Sequence, residues 1–153
     1  MKQSPHEKSR HERLEPSRFS AGGFLGTDDR PVDEIIADDL RALDRLGVTR
    51  ETLACALRNT YQKARDAFGA EIEIRPGVSA VFHESMGRIP SPFRGDGVFP
   101  KGEAVVTDNV SGSTLRLSAL GIALIEKHGF FQGGGSAYRI DPAAAVRMLD
   151  VRS

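Results

Sequence analysis

The chain has 153 residues, 39 % hydrophobic and 27 % charged, with 21 Lys plus Arg matching 21 Asp plus Glu. That length predicts one folded domain, and the balanced charge supplies no global field to hold nucleic acid or an acidic membrane. The single cysteine, Cys55, excludes an intrachain disulfide scaffold, and no apolar run reaches the roughly 18 residues needed to span a bilayer.

Residues 1–20 carry Lys2, Lys8, Arg10, Arg13 and Arg18 against Glu7, Glu12 and Glu15, with few large apolar side chains. Such a segment cannot bury enough surface to offset the entropy of ordering, so it reads as a flexible basic/polar tail before a single α+β domain over 21–153. The charged start lacks an apolar signal core, which predicts a cytoplasmic protein.

Gly22, Gly23 and Gly26 make a loop anchored by Phe24 and Leu25. Pro31 suits a first helical turn, and Asp33 and Glu34 favour its positive end. Ile36, Leu40, Leu43 and Leu46 then mark one face of an amphipathic helix that ends at Gly47. A second helix starts at Thr49 as N-cap, presents Leu53, Leu57, Tyr61, Ala64 and Phe68, and closes at Gly69. Cys55, between Ala54 and Ala56, reads as a packed, inert thiol. "AEIEI" (70–74) and "VSAVFH" (78–83) alternate or run apolar around the "RPG" turn and predict two strands. Segment 86–103 holds Pro90, Pro92 and Pro100 with several glycines and is expected to be irregular. "AVVTD" (104–108) and "TLRLS" (114–118) pair as a hairpin around "NVSGS". Ser118 caps a helix that stops at Gly129, with Phe130 placed to touch Ile125 in a Schellman-type end. "FFQ" (130–132) and "AYRI" (137–140) are expected to pair around Gly133–Gly135. Asp141 and Pro142 then open a last short helix. The whole is α+β: an N-terminal helical hairpin followed by a mainly antiparallel sheet with two further short helices.

Chemistry is thinly advertised. The glycine run follows a helix and precedes a strand, whereas phosphate-cradling glycine loops lead into a helix N-terminus. It therefore reads as a turn, with any binding carried by the flanking Phe131, Tyr138 and Arg139. The long loop over 87–102 presents Phe93, Arg94 and Lys101, and long loops in compact domains tend to be functional. The aromatics in it are expected to tuck inward. "RGD" at 94–96 reads as coincidence in a cytoplasmic chain. His83 and Glu84 point to opposite faces of a strand, and no paired His or Cys ligands exist, so no metal site is assigned. No cofactor follows from the sequence. Residues 41–59 outline a helix-turn-helix, but the acidic first helix would repel phosphates, which argues against nucleic acid.

The leading reading is a small cytoplasmic binding or interaction module for a small molecule or protein partner, with its surface near the 87–102 and 129–139 loops. The alternatives are a small enzyme using Glu84, Asp96, Asp108 or His128 as acid–base groups, and a DNA-binding regulator using helix 50–69.

Overall fold

The structure, a computed structural model, describes residues 23–152. The flexible tail expected over 1–20 lies outside the described residues. Helix α1 spans Val32–Arg45, with Pro31 at its N-cap position and Asp33 and Glu34 in its first turn. Its buried residues are Val32, Ile35, Asp39 and Leu43. The predicted stripe is thus rotated: Ile36 and Leu40 are half-buried flanks, and Leu46, past the last turn, is exposed. The inward side chain that displaces it is Asp39, held by Arg139 at 2.9 Å.

Helix α2 spans Arg50–Asp66, and the Thr49 hydroxyl accepts from the Thr52 backbone N–H. Leu53, Ala54, Leu57, Thr60, Tyr61 and Ala64 are buried on one face. Two expectations fail here. The helix stops at Asp66, so Phe68 adopts a left-handed φ of 52° and stands 95 % exposed instead of extending the stripe. Cys55, one residue and about 100° around the helix from Ala54, is exposed.

The strands are β1 Ile72–Arg75, β2 Val78–His83, β3 Arg88–Pro90, β4 Val98–Pro100, β5 Glu103–Asp108 and β6 Thr114–Ser118. Four form one antiparallel sheet in the order β1-β2-β5-β6, and β3 pairs with β4 as a separate antiparallel ribbon. Side chains alternate across the main sheet. Val78, Ala80, Phe82, Ala104, Val106, Leu115 and Leu117 enter the core beside α2, while Ser79, Val81, Val105, Thr107 and Arg116 on the other face are only half-buried. The ribbon corrects the expectation that 86–103 holds no regular structure. Pro90 and Pro100 are tolerated because a two-stranded ribbon has only edge strands, where a missing N–H need not break a ladder.

Helix α3 spans Ala119–His128, capped by the Ser118 hydroxyl, and α4 spans Pro142–Leu149, capped by Asp141. At the end of α3, Gly129 is left-handed and donates to Ile125 O, while Phe130 N–H donates to Leu124 O. That is the expected Schellman end, although Phe130 packs in a cluster with Leu120 and Leu124, not with Ile125. Helix α3 is buried on two sides: Ile122 and Ile125 join the main core, and Leu120 and Leu124 join a second cluster with Leu25, Val32, Ile35, Phe93 and Phe130. This second cluster fastens both the N-terminal loop and the ribbon loop to the domain. "AYRI" is not a strand. Tyr138 and Arg139 instead engage Arg116 and Asp39, and only Ile140 N–H reaches Phe131 O, at 3.3 Å. Among the described residues, no helix is long and apolar enough to cross a membrane.

Candidate functional site

The site begins with how the 87–102 loop is held. Ile89 and Phe99 are paired across the ribbon and pack against the second core cluster. Between the strands, Phe93 is buried, stacks on the His128 ring at 3.9 Å and meets Phe130 edge-on at 6.0 Å. Asp96 Oδ2 lies 2.8 Å from His128 Nε2 and accepts a hydrogen bond from Ser91 Oγ at 3.0 Å. The Ser91 hydroxyl in turn accepts from Phe93 N–H. Apolar, aromatic and charged contacts therefore pin one loop to the end of α3. The inward aromatics match the sequence reading, and Asp96 is one acid of the "RGD" triplet that is not free to project: its side chain is 11 % exposed.

The loop's cations lie at the surface. Arg88, Arg94 and Lys101 are exposed and have no ion-pair partner among the described residues. The Lys101 aliphatic chain runs alongside Gly87, 3.8 Å from where a β-carbon there would sit. Lys127 sits 5.9 Å over the Phe99 ring at the flank. Since Ile89 and Phe99 face inward, alternation turns Arg88, Pro90, Val98 and Pro100 outward. Val98 is 53 % exposed.

The other predicted site residues lie elsewhere in structural roles. Phe131 is buried in the main core. Arg139 donates to both Asp39 oxygens and to Gln132 O. Tyr138 lies beneath the Arg116 guanidinium, 4.3 Å from ring centroid, and Arg116 also donates to Glu103 and to the Tyr138 hydroxyl. Burial pushes the Tyr138 phenol above its ordinary range. Asp108 accepts from the backbone N–H groups of Val110 and Ser111, which hold it below the usual carboxylate range and make it a turn anchor. Glu84 and His83 are exposed beside a shallow depression of about 410 Å³ that Phe68 also lines. Of the four acid–base candidates, only Asp96 and His128 come together. Among the described residues, no three His, Cys, Asp or Glu side chains group to hold a metal ion.

The two loops named from sequence do meet, where Phe93 and Phe130 share the second core cluster beside His128 at the end of α3. Beyond that point the 129–139 segment turns away and its glycines meet the N-terminal loop. Gly133 N–H donates to Phe24 O at 2.8 Å, and Thr27 N–H donates to Gly134 O at 2.9 Å. Gly134 N–H donates to Asp28, whose carboxylate also receives Arg30 at 2.9 and 2.6 Å. The run is a turn, with Ser136 N–H donating to Gly133 O, but not the expected tip of a strand pair. Its glycines permit two backbones to touch.

The Arg30 guanidinium, reinforced by Gly134 N–H, holds the Asp28 carboxyl well below its ordinary 3.8. A lowered folded-state pKa contributes stability that is present above the unfolded value and is lost as pH falls toward the folded one. Asp28→Asn is therefore expected to cost about 1–2 kcal/mol at neutral pH, as for a charge-assisted hydrogen-bond set. The stability difference between the two proteins should shrink between pH 5 and pH 2. Denaturant titrations across that range check it; a pH-independent difference would contradict the assignment.

Arg88 was legible in the sequence as a loop cation, whereas Ser91 and Val98 were not singled out; the ribbon's pairing turns Val98 outward with Arg88, and Ser91 bonds inward to Asp96. Comparisons with known protein families, with curated proteins and with solved structures find no match to this chain.

Proposed function

We propose that the chain is a small cytoplasmic binding module whose partner surface is the outer side of the β3–β4 ribbon, with Arg88, Arg94 and Lys101 as its charged contacts. The observation that carries this reading is preorganisation. A proline- and glycine-rich loop is fastened from beneath by Phe93, Phe99 and the Asp96–His128 pair, yet its exposed cations have no ion-pair partner among the described residues. Loop ordering is a cost of association, and here much of it is met before any partner arrives. The acid–base reading draws less support. Ser91 donates to the carboxylate and not to the imidazole, so the base that would activate a serine nucleophile is not placed on it. The helix-turn-helix reading asks α2 to enter a groove, but α2 is packed on both α3 and the sheet, and Arg58 is paired with Glu126.

Amide NMR tests the proposal with two anionic polymers, poly-L-glutamate and a twenty-residue oligothymidylate. At least one should shift the resonances of Arg88, Arg94, Gly95 and Lys101, and the Arg94→Ala/Lys101→Ala protein should weaken that binding at least fivefold. Neither polymer moving those resonances, or both moving a different surface, would overturn it.

A further inference from the structure

The outer ribbon surface has a chemical pattern, not only a charge. Arg88 faces outward at its open end, the exposed Lys101 follows the last paired residue there, the exposed Arg94 lies in its turn, and Pro90, Val98 and Pro100 lie between them. A three-residue strand advances about 10 Å, so the cations bracket an apolar strip that four or five extended residues would cover. The one acid of the loop, Asp96, is turned inward to His128 and Ser91. Lys127 adds a further cation at the flank.

We infer that this surface docks an acidic protein segment carrying an apolar side chain, seated on Val98 and the two prolines between the ribbon's cations. This rests on the reading of the ribbon as the partner surface. Charge complementarity selects an anionic partner. Two further features select protein over nucleic acid. The ribbon's aromatics, Phe93 and Phe99, both face inward, so none is presented as a platform on which bases could stack. The centre of the patch is aliphatic and exposed, which suits an apolar anchor within a polar rim. A phosphate backbone would leave that strip unused.

Fluorescence anisotropy can separate the cases with three labelled probes: an eight-residue peptide with two central leucines between paired glutamates, the same peptide with glycines for the leucines, and the twenty-residue oligothymidylate. The leucine peptide should bind five- to tenfold more tightly than the glycine peptide, and more tightly than the oligonucleotide. Val98→Ser, with Val98→Ala as a second variant, should erase most of the leucine advantage while leaving the glycine peptide's binding unchanged. Arg94→Ala/Lys101→Ala should weaken both peptides.

Equal binding of the two peptides would overturn the apolar anchor. Tighter binding of the oligonucleotide, lost in Arg94→Ala/Lys101→Ala, would overturn the protein partner but leave the ribbon as a binding surface. No binding by any probe would overturn the inference and the binding surface together. Sedimentation of the protein alone adds one arm. A salt-sensitive dimer abolished by the same double substitution would assign the ribbon to a second copy of this chain and overturn the inference.

Discussion

Gly133→Ala is expected to destabilise the protein by about 3–6 kcal/mol, whereas Gly134→Ala, one residue away, should cost less than about 1 kcal/mol. A β-carbon on Gly133 would lie 2.3 Å from Leu25 O and 2.8 Å from Leu25 C and Cα. Those are backbone atoms, so no rotamer change can relieve the overlap and the two loops must separate. Separation strands Gly133 N–H, Phe24 O, Thr27 N–H and Gly134 O. Gly133 is buried, so its orphaned N–H costs about 1–3 kcal/mol, the partly exposed groups less, and overpacking adds about 1–3 kcal/mol. At Gly134 the added carbon meets only Asp28 Oδ2, at an ordinary 3.6 Å, and no left-handed φ is required. Gly135 combines both burdens, with φ at +86° and Thr27 Oγ1 2.6 Å from the added carbon, and its alanine variant should resemble Gly133→Ala. Denaturant midpoints of the three variants measure the contrast. Equal effects at 133 and 134 would mean that the glycines serve flexibility and not close approach.

That contrast also marks what local sequence can carry. A glycine run announces a turn, because positive φ is a local demand. Its partner, the Phe24–Asp28 loop, lies more than a hundred residues away, and no periodicity links the two. The same division runs through the fold. Thr49, Ser118 and Asp141 announce helix starts because an N-cap acts on its own first turn. Gly129 announces a stop for a similarly local reason. The β5–β6 hairpin was legible because alternation and turn lie side by side. The ribbon was hidden, since three-residue strands among prolines give no periodic signal. At the candidate site, Arg94 and Lys101 were visible as loop cations, and Asp96 and His128 as titratable groups. That the last two would meet, and leave the first two outward, depends on α3 and the loop packing on one cluster. Phe131 and Arg139 drew attention for their residue types, and tertiary packing turned both to structural use.

Arg139→Ala should cost about 3–5 kcal/mol, the usual loss when one partner is removed from a buried ion pair. The guanidinium forks onto Asp39, with both contacts at 2.9 Å, and donates again to Gln132 O at 2.7 Å. Asp39 is 6 % exposed on the inner face of α1, so truncating Arg139 strands a carboxylate with little water to replace its donors. Gln132 O loses a donor in the same step, in a residue whose own φ is 71°. Asp39 holds the Arg139 guanidinium more firmly protonated than usual. Arg139→Lys keeps the charge but not the planar fork, so its loss should fall between wild type and Arg139→Ala. Asp39→Leu/Arg139→Met replaces both ions with apolar groups. It should recover most of the single-variant loss, because the pair's cost of desolvation disappears with the pair. Urea denaturation of the four proteins, read as a double-mutant comparison, provides the check. If Arg139→Ala stayed within about 1 kcal/mol of wild type, the clasp between α1 and the 129–139 segment would not be structural. Arg139 would then return to the ligand-facing role that its place beside the glycine run suggests.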